Sequence, residues 1–455
     1  MTAEFIGRKN ALSRLDAAWV SGKFEFVVLY GRRRVGKSCL LKHFFKDKLG
    51  IYYQALKRNN LEAMSSCVSG FIHGNPEIQY PSFSSLLRDV ASVSKGKRIY
   101  FVIDEIPYLA EEVEIISLLQ QFIDNVFDST QLMLVLCGSS RSFMEEEVLA
   151  EPSPLYGRRT MQIKLLPFRP DESAEFLPCS WPLHDIAAAH AICSGIPYYE
   201  KFLARYPSLE EGIKSEFFSP RTLFYEARLY LMGEYRAVES YNTLLRLLAN
   251  GKNEVKALSD KSKLSVANIS AMLGSLERQE IVQRNCKIRG RGRGRGWKLI
   301  DGYLAFYFRY VHDHIPQIEE DSGEGAYRKA MDDLDAFVGR FLEKDFRSYV
   351  LRTSEEAIKA IGSLDFPNPF TKQNEEIDLV ADAGDQVIVG ECKWRSGRTG
   401  LDEFETLMKR STMLFPSDSV KYCILSRSGF TEDLAAVAGA RDDLRLITGA
   451  ELFGL

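Results

Sequence analysis

The sequence predicts an α/β protein of several domains. A chain of 455 residues exceeds one ordinary hydrophobic core, so two to four domains are expected. An apolar run at 24–30, typical of a buried strand, is followed at once by a loop and a segment with helical spacing. Near the other end, two strand-like runs flank the turn "DAGDQ" at 382–386.

Composition limits the class of protein. Hydrophobic residues make up 45% and charged residues 27% of the chain, as in ordinary globular proteins. The eight cysteines are scattered without a CxxC pair, which argues against a disulfide framework and against a zinc site. The first residues lack a signal-sequence pattern, and no apolar run approaches the roughly twenty residues that a membrane helix needs. We therefore expect a cytoplasmic protein without a membrane partner.

Charge is distributed unevenly along the chain. Residues 1–300 hold 41 Lys and Arg against 33 Asp and Glu, a net charge of +8. Residues 301–455 hold 18 against 29, a net charge of −11. The stretch 284–298 carries seven positive charges and no negative one. The near-neutral total therefore conceals a basic middle and an acidic C-terminal part.

The most specific motif is "GRRRVGKS" at 31–38, which lies between a predicted strand and a predicted helix, as a P-loop requires. Its glycines allow backbone N–H groups to surround phosphates, and the helix N-terminus adds its dipole. Lys37 is expected to reach the β- and γ-phosphates, and the Ser38 hydroxyl to ligate Mg²⁺. A chance glycine-rich turn is disfavoured because the strand, the lysine and the serine are all present. The motif predicts that ATP and Mg²⁺ bind, with these residues at the nucleotide: Gly31, Arg32, Arg33, Arg34, Val35, Gly36, Lys37, Ser38 and Cys39.

Two further strand ends supply acidic and polar side chains. Asp104 and Glu105 follow "RIYFVI", where P-loop ATPases place a Mg²⁺-binding acid and a Glu that polarises the attacking water. A Glu at this place predicts hydrolysis, and the alternative is a capping pair. Ser139 or Ser140, after "QLMLVLCG", would contact the γ-phosphate or the water. A plain turn explains either serine alone nearly as well.

An arginine pair follows in "SPLYGRRT" at 153–160. We interpret one of the pair, Arg158 in preference to Arg159, as an arginine finger, acting in cis or from a neighbour in a homo-oligomer. The alternative is a surface arginine or an ordinary salt bridge.

These motifs together resemble the archaeal-type AAA ATPases, a group also found in bacteria. The resemblance spans nearly the whole chain and is strongest to about residue 200. It implies that Gly7 and Arg8 lie beside the adenine, and that Gly195 and Pro197 belong to a helical lid that senses the nucleotide. Members of the group often carry a C-terminal domain of unknown function with a restriction-endonuclease-like fold. The segments that carry the resemblance are "FIGR" at 5–8, "GRRRVGKS", "IDEIPYL", "LCGSS", "SPLYGRRT" and "SGIPYYEKFL".

The middle of the chain is expected to be helical and then winged. Three short helices and a hairpin fit a winged helix-turn-helix, which the resemblance also implies. The third helix is predicted to begin at a Ser cap, with an apolar stripe and uncharged exposed positions. The hairpin alternates arginine with glycine, which predicts contact with DNA phosphates and little sequence readout. The alternative is a domain-packing module with a flexible basic loop. The stripe is Val266, Ile269, Leu273 and Leu276, and the wing arginines are Arg289, Arg291, Arg293 and Arg295.

The stretch "GECKW" at 390–394 ends an apolar run with a carboxylate and an amine on one strand face. Asp378 and Val380, on the preceding strand, are predicted to share a face opposite Ile377 and Leu379. A hairpin would then bring Asp378, Glu391 and Lys393 together, with Glu343 as a third acid from an upstream helix. This arrangement resembles the PD-(D/E)xK nuclease motif, in which carboxylates hold Mg²⁺ and the lysine orients the water. The acidity of this domain argues against DNA binding, and a salt-bridged strand end is the alternative.

The prediction is an α/β chain with a P-loop NTPase domain (1–165), a helical lid (166–235), a winged helix-turn-helix (236–300) and a C-terminal restriction-endonuclease-like α/β domain (301–455). ATP hydrolysis at Lys37, Asp104 and Glu105 would control a nuclease-like domain that acts on DNA with Mg²⁺. The alternative is an ATP-driven switch or scaffold whose C-terminal domain binds nucleic acid or a partner protein without cutting. A sequence-specific regulator of transcription is a third possibility, disfavoured by the uncharged recognition helix. Of the residues named above, Ser139 is predicted at the nucleotide, and the predicted metal ligands are Ser38, Asp104, Glu343, Asp378 and Glu391.

Overall fold

The computed structural model describes residues 5–285, 287–291, 296–368, 372–416 and 418–455. They form two compact units, Met1–Pro167 and Phe168–Leu455. The α/β class is confirmed. No helix within the described ranges is both long and apolar enough to cross a membrane.

The N-terminal unit is a parallel five-stranded sheet in the order β2-β3-β4-β1-β5, with helices on both faces. Its strands are β1 (Glu25–Tyr30), β2 (Gly50–Gln54), β3 (Ile99–Asp104), β4 (Leu132–Gly138) and β5 (Met161–Lys164). Its helices are α1 (Lys9–Val20), α2 (Lys37–Phe45), α3 (Asn60–His73), α4 (Phe83–Gly96), α5 (Ile106–Glu112), α6 (Ile115–Asn125) and α7 (Arg141–Phe143), with a 3₁₀ turn at Phe127–Ser129 and a π-helical turn at Met144–Leu149.

The sequence of β1 explains its central place in this sheet. Phe26 and Val28 pack into the core on one face, whereas Val27 and Leu29 pack into the core on the other. A parallel strand covered by helices on both sides needs apolar residues at every position, which is why the run does not alternate. The carboxyl ends of β1, β3 and β4 meet at one edge of the sheet, and the predicted nucleotide-binding residues follow these ends.

The second unit begins with helices and ends in a mixed sheet. Its helices are α8 (Pro170–Phe176), α9 (Leu183–Cys193), α10 (Pro197–Leu203), α11 (Leu209–Phe217), α12 (Thr222–Glu234), α13 (Val238–Ala249), α14 (Val255–Ser262), α15 (Val266–Arg278), α16 (Gly302–Phe306), α17 (Ile315–Glu319), α18 (Glu324–Asp332), α19 (Leu334–Thr353), α20 (Leu401–Leu414), α21 (Glu432–Gly439) and α22 (Gly449–Phe453), with a π-helical turn at Tyr307–Val311 and a 3₁₀ turn at His312–His314. Its strands are β6 (Val282–Arg284), β7 (Trp297–Leu299), β8 (Ala360–Pro367), β9 (Asn374–Asp382), β10 (Gln386–Lys393), β11 (Ser419–Ser426) and β12 (Leu444–Thr448).

The C-terminal sheet has the order β12-β11-β10-β9-β8. Strands β8, β9 and β10 are antiparallel neighbours, and β10, β11 and β12 are parallel. Helix α19 packs against β9 and β10. The sheet thus separates two core clusters, one of which continues from α19 into the preceding helices.

Helices α13, α14 and α15 precede an antiparallel hairpin of β6 and β7. The predicted cap is confirmed, because the Ser265 side chain accepts a hydrogen bond from the Asn268 N–H. Ile269, Leu273 and Leu276 are buried as expected, but Val266 is 54% exposed. The prediction that Val266 belongs to the buried stripe was wrong, because the first turn of α15 extends beyond the core that the later turns contact.

One hydrophobic core joins residues that the sequence assigned to three modules. It contains Leu177 from the predicted lid, Leu273 from the predicted winged helix and Leu425 from the C-terminal sheet. The boundaries at 235 and 300 therefore remain predictions within a single compact unit.

Candidate functional site

The P-loop of the N-terminal unit has the backbone shape that surrounds an anion. Gly36 has φ +94° and Arg34 has φ +72°, so both lie in the left-handed region where successive N–H groups turn inward. The Lys37 ammonium donates to the carbonyls of Gly31, at 2.9 Å, and Arg32, at 3.1 Å. Burial lowers the pKa of Lys37, and the nearby carboxylates oppose that shift. The lysine is thus held inside the loop as a cation placed for phosphate.

The first glycine of the loop is required by close packing. A Cβ on Gly31 would lie 2.3 Å from the Leu165 carbonyl oxygen, where the chain leaves β5. Arg8 ties the same region together, because its guanidinium donates to the carbonyls of Val35, at 2.9 Å, and Leu166, at 2.6 Å. Gly7 and Arg8 therefore lie beside the P-loop, and their contact with adenine stays a prediction.

Asp104 lies at the carboxyl end of β3 and is fully buried. Its Oδ2 accepts hydrogen bonds from the Ser38 hydroxyl, at 2.6 Å, and from the Tyr52 phenol, at 2.5 Å. A serine hydroxyl beside a carboxylate suits Mg²⁺, a hard cation that prefers oxygen ligands. Sequence analysis missed Tyr52, because a tyrosine inside the β2 run looks like an ordinary strand residue.

Glu105 and Ser139 also meet at this edge. Glu105 has φ +56°, a left-handed conformation uncommon for a glutamate, and begins α5. Its Oε2 accepts hydrogen bonds from the Ser139 hydroxyl, at 2.8 Å, and from the Ser139 N–H, at 3.2 Å. The predicted water-polarising acid and the predicted sensor are therefore paired directly. The partner strands β3 and β4 are neighbours, which places their ends together.

Arg158 lies elsewhere. It precedes β5, so it is at the amino end of the sheet, opposite the P-loop. Its guanidinium forms a two-pronged ion pair with Asp124, at 2.6 and 2.8 Å. The structure does not bring Arg158 to the P-loop of its own chain, because parallel strands place their two ends at opposite edges. A finger role in cis was therefore wrong, and a role in a neighbouring subunit stays a prediction.

The C-terminal sheet carries a group of acids. Carboxylate oxygens of Glu343, Glu376 and Asp378 all lie within 4.8 Å of one another. We call these three residues, together with Glu391, the acidic centre. Glu376 was missed by sequence analysis, although it lies two positions before Asp378 in "EEID", the spacing that puts strand residues on one face.

The "GECKW" carboxylate and amine belong to this centre. Glu391 is 5% exposed, and burial and the charge of Asp378 raise its pKa. The Lys393 ammonium lies 3.4 Å from Glu391 and 3.0 Å from Glu403. Arg410 binds the other oxygen of Glu391 at 2.8 Å. Asp378, Glu391 and Lys393 are thus brought together as the motif predicted, within a wider ion-pair network.

The predicted strand alternation fails locally at Asp378. Ile377 packs with Val380 in one core cluster, and Leu379 packs in the other. The ladder between β9 and β10 ends at the Leu379–Gly390 pair, and β8 pairs with β9 through a register irregularity. Beyond that pair the strands diverge, and Asp378 instead accepts a hydrogen bond from the Cys392 N–H at 2.9 Å.

The electrostatics of the acidic centre favour a cation. Burial raises the pKa of Glu343, and the like charges of Asp378 and Glu376 add to the shift. Burial and Asp378 likewise raise the pKa of Glu391, and burial raises that of Asp378. The raised pKa values show that the neighbouring cations do not fully offset burial and mutual repulsion, and a divalent ion with oxygen ligands would supply further positive charge. Mg²⁺ bound by Glu343, Glu376 and Asp378 would polarise a phosphodiester or a water beside Lys393.

Part of the hairpin predicted to contact DNA packs against the C-terminal sheet. Arg289 forms ion pairs with Asp382, at 2.9 Å, and with Asp418. Ile288 is 1% exposed and belongs to the core on that side of the sheet. Arg289 is therefore not free for phosphate in this arrangement, because neighbouring carboxylates already satisfy it. Arg293 and Arg295 lie outside the described residues.

Comparisons with known proteins agree with this geometry. Residues 5–181 match the family model of an ATPase domain predominantly from Archaea. The N-terminal unit is thus similar to that family of ATPase domains and carries the P-loop that its motif predicted. Beyond the ATPase domain, residues 307–407 match the model of a family of archaeal and bacterial proteins of unknown function.

Individual relatives extend the comparison. An uncharacterized protein of Methanocaldococcus jannaschii is 28% identical over 437 residues, which cover 92% of this chain and 94% of that protein. An uncharacterized ATP-binding protein of the same organism is 46% identical over 44 residues, 10% of this chain and 75% of that protein. The solved structure of a Walker-type ATPase of Pyrococcus abyssi is similar with a TM-score of 0.54 at 21% identity, covering 68% of this chain and 97% of that chain. The likeness to the Pyrococcus abyssi protein shows that the two chains share a fold.

Proposed function

We propose that the protein is a cytoplasmic ATPase whose nucleotide state controls a nuclease-like C-terminal domain acting on DNA with Mg²⁺. The ATPase part is supported by the family model and by the P-loop geometry. The observation that carries the catalytic assignment is the pairing of Ser38 with Asp104, next to the pairing of Glu105 with Ser139. These four side chains surround the loop end where a bound γ-phosphate would lie. Mg²⁺ would neutralise the phosphate charge there, and Glu105 would orient the attacking water.

The nuclease part of the proposal is supported by the acidic centre. Three close carboxylates beside a lysine match the residue types that metal-dependent phosphodiester hydrolysis uses. In this role Glu343, Glu376 and Asp378 hold the metal, Glu391 contacts Asp378, and the Lys393 ammonium orients the water.

A second candidate function is supported by a separate observation. The net charge of −11 over residues 301–455 opposes DNA, and Arg289 is paired with carboxylates of the sheet. Both observations favour an ATP-driven switch whose C-terminal domain binds a partner protein without cutting over one whose C-terminal domain binds a nucleic acid without cutting.

One experiment separates the two candidates. Purified protein is incubated with supercoiled plasmid, with Mg²⁺ or Mn²⁺, and with or without ATP, while ATP hydrolysis is measured in parallel. The nuclease proposal expects nicking that Asp378→Ala and Glu391→Ala abolish without loss of ATP turnover. The exposed Glu405→Gln on α20 is the matched carboxylate control and should nick normally.

The ATPase assignment has its own variants in the same assay. Lys37→Ala and Glu105→Gln should abolish ATP turnover, whereas Lys46→Ala, exposed just after α2, should retain it. Intact ATP hydrolysis with no nicking under every metal condition would favour the switch. Turnover that survives Lys37→Ala would contradict the ATPase assignment itself.

A further inference from the structure

The hairpin of β6 and β7 supplies a cation to the acidic centre. Lys298, on β7, forms an ion pair with Glu376 and donates to the Ser363 hydroxyl at 3.0 Å. Glu376 is one of the three carboxylates whose oxygens lie within 4.8 Å of one another. The ammonium of Lys298 therefore sits on a carboxylate that a metal ion at this centre would use.

The contact is part of a broader attachment of the hairpin. Asn285 donates to Asp365 on β8 at 2.8 Å, and Arg289 pairs with Asp382 at the end of β9. Ile288 is buried with the core of the sheet. Arg289, between the two strands, and Lys298, on the second strand, are thus anchored to the sheet at separate places.

The Lys298 ammonium and a metal ion bound to the same carboxylates would repel each other. Like charges a few ångströms apart repel, and the repulsion is stronger in a partly buried site than in water. Burial and the charges of Asp378 and Glu376 raise the pKa of Glu343, and the charges of Arg347 and Lys298 partly oppose that rise. Lys298 therefore supplies part of the positive charge that a divalent ion would otherwise provide.

We propose that Lys298 controls metal occupancy of the acidic centre, so that docking of the hairpin and binding of a divalent ion oppose each other. With the hairpin docked, the ammonium neutralises Glu376 and metal binding is weak. When the hairpin leaves, the carboxylates accept the ion. Lys298 is thus a positioning residue for the proposed nuclease-like chemistry. The inference rests on the proposed function, because it needs the acidic centre to bind a metal.

The test measures Mn²⁺ binding to the full-length, nucleotide-free protein by electron paramagnetic resonance, with no nuclease readout. Lys298→Met should increase Mn²⁺ affinity about five- to tenfold, the size expected for removing one nearby like charge. Lys298→Arg keeps the positive charge and should stay near the wild-type affinity. Lys287→Met, an exposed lysine of the same hairpin, should change nothing.

A second variant tests docking with Lys298 intact. Arg289→Ala removes the ion pairs that hold Arg289 on the sheet. Like Lys298→Met, it should raise Mn²⁺ affinity. Glu376→Gln should abolish the Mn²⁺ signal that belongs to this centre. Thermal unfolding of each variant reports whether the unit remains folded.

The outcomes separate the role of Lys298 from the existence of the proposed metal site. Equal, measurable affinity in wild type, Lys298→Met and Arg289→Ala overturns the role of Lys298 and leaves the proposed metal site in place. Absence of any Glu376-dependent binding in all variants overturns both the inference and the proposed metal chemistry. Tighter Mn²⁺ binding in Lys298→Met and in Arg289→Ala, together with near wild-type affinity in Lys298→Arg, supports the inference.

Discussion

The Tyr52 phenol donates a 2.5 Å hydrogen bond to Oδ2 of Asp104, the same oxygen that accepts from Ser38. Tyr52 lies on β2 and Asp104 on β3, and the two strands are parallel neighbours. Burial raises the pKa of Tyr52 above its ordinary value, and Asp104 adds to the shift. The phenol therefore stays protonated and remains a hydrogen-bond donor throughout the physiological pH range. Two hydroxyl donors thus fix the orientation of the carboxylate at the predicted Mg²⁺ position.

Tyr52→Phe should lower the rate of ATP turnover about threefold to tenfold, the effect of losing a net stabilisation of about 1 kcal/mol, typical of one hydrogen bond. The Mg²⁺ concentration needed for half-maximal turnover should rise, because the Asp104 carboxylate is less well oriented. Steady-state ATPase assays across a Mg²⁺ titration measure both quantities. Tyr156→Phe, at a side chain 48% exposed, is the control. An unchanged Mg²⁺ requirement would show that Tyr52 does not position Asp104.

Ser139→Ala should reduce kcat for ATP about tenfold with little change in KM. The substitution removes the hydroxyl that holds Glu105 and leaves phosphate binding by the P-loop intact. Ser140→Ala is the neighbouring control, because the hydroxyl of Ser140 is 3.5 Å from that of Ser142. A rise in KM alone would assign Ser139 to nucleotide binding instead.

Gly390→Ala should destabilise the C-terminal sheet. An added Cβ would lie 2.7 Å from the Cys423 carbonyl oxygen and 3.0 Å from the Phe346 ring, where β10, β11 and α19 pack together. Overpacking of this kind costs about 1–3 kcal/mol of unfolding free energy. Urea unfolding followed by circular dichroism measures the change. Gly397→Ala, with no atom within 4 Å of its Cβ, should leave the midpoint unchanged.

His190 should make stability fall at alkaline pH. Burial lowers its pKa, but Asp345 and Glu200 outweigh that effect and raise the pKa to about 9. Its Nδ1 lies 2.7 Å from the Ser173 hydroxyl and its Nε2 lies 3.2 Å from Asp345. A raised histidine pKa adds stability that is complete below the unfolded value of about 6.5 and is lost as the pH rises through the folded value.

The measurement for His190 is unfolding free energy from pH 6 to pH 10. Between the two pKa values the folded state keeps one proton that the unfolded state has lost, which predicts a slope of about −1.4 kcal/mol per pH unit. His190→Asn should remove that part of the slope, and His314→Asn should retain it. Equal slopes in all three proteins would contradict the charged state of His190.

Local sequence accounted for most of the nucleotide site. Eight consecutive residues between a strand and a helix predict a P-loop because the chemistry and the backbone shape lie in one segment. The sequence placed Glu105 and Ser139 at the attacking water because each follows a strand, and their direct pairing needed the strand order, which makes β3 and β4 neighbours. Tyr52 was missed because it lies within a strand, and only the order of strands places it beside Asp104.

The same distinction holds for the C-terminal part. Alternation along a strand was enough to put Glu391 and Lys393 on one face, and the turn was enough to bring Asp378 to them. The alternation failed at Ile377, where β9 and β10 diverge. It also did not show that Glu376 completes the acidic centre.

By itself, the sequence determined the α/β class, the P-loop and the carboxylate–lysine cluster of "GECKW", because each depends on residues close together in one segment or hairpin. The tertiary structure alone decided where the basic hairpin lies and what Arg158 contacts. Positive charge in a sequence predicts that a segment binds anions, but only the packing of the chain decides which anions it contacts. For Arg289 and Lys298 they are carboxylates of the chain's own sheet.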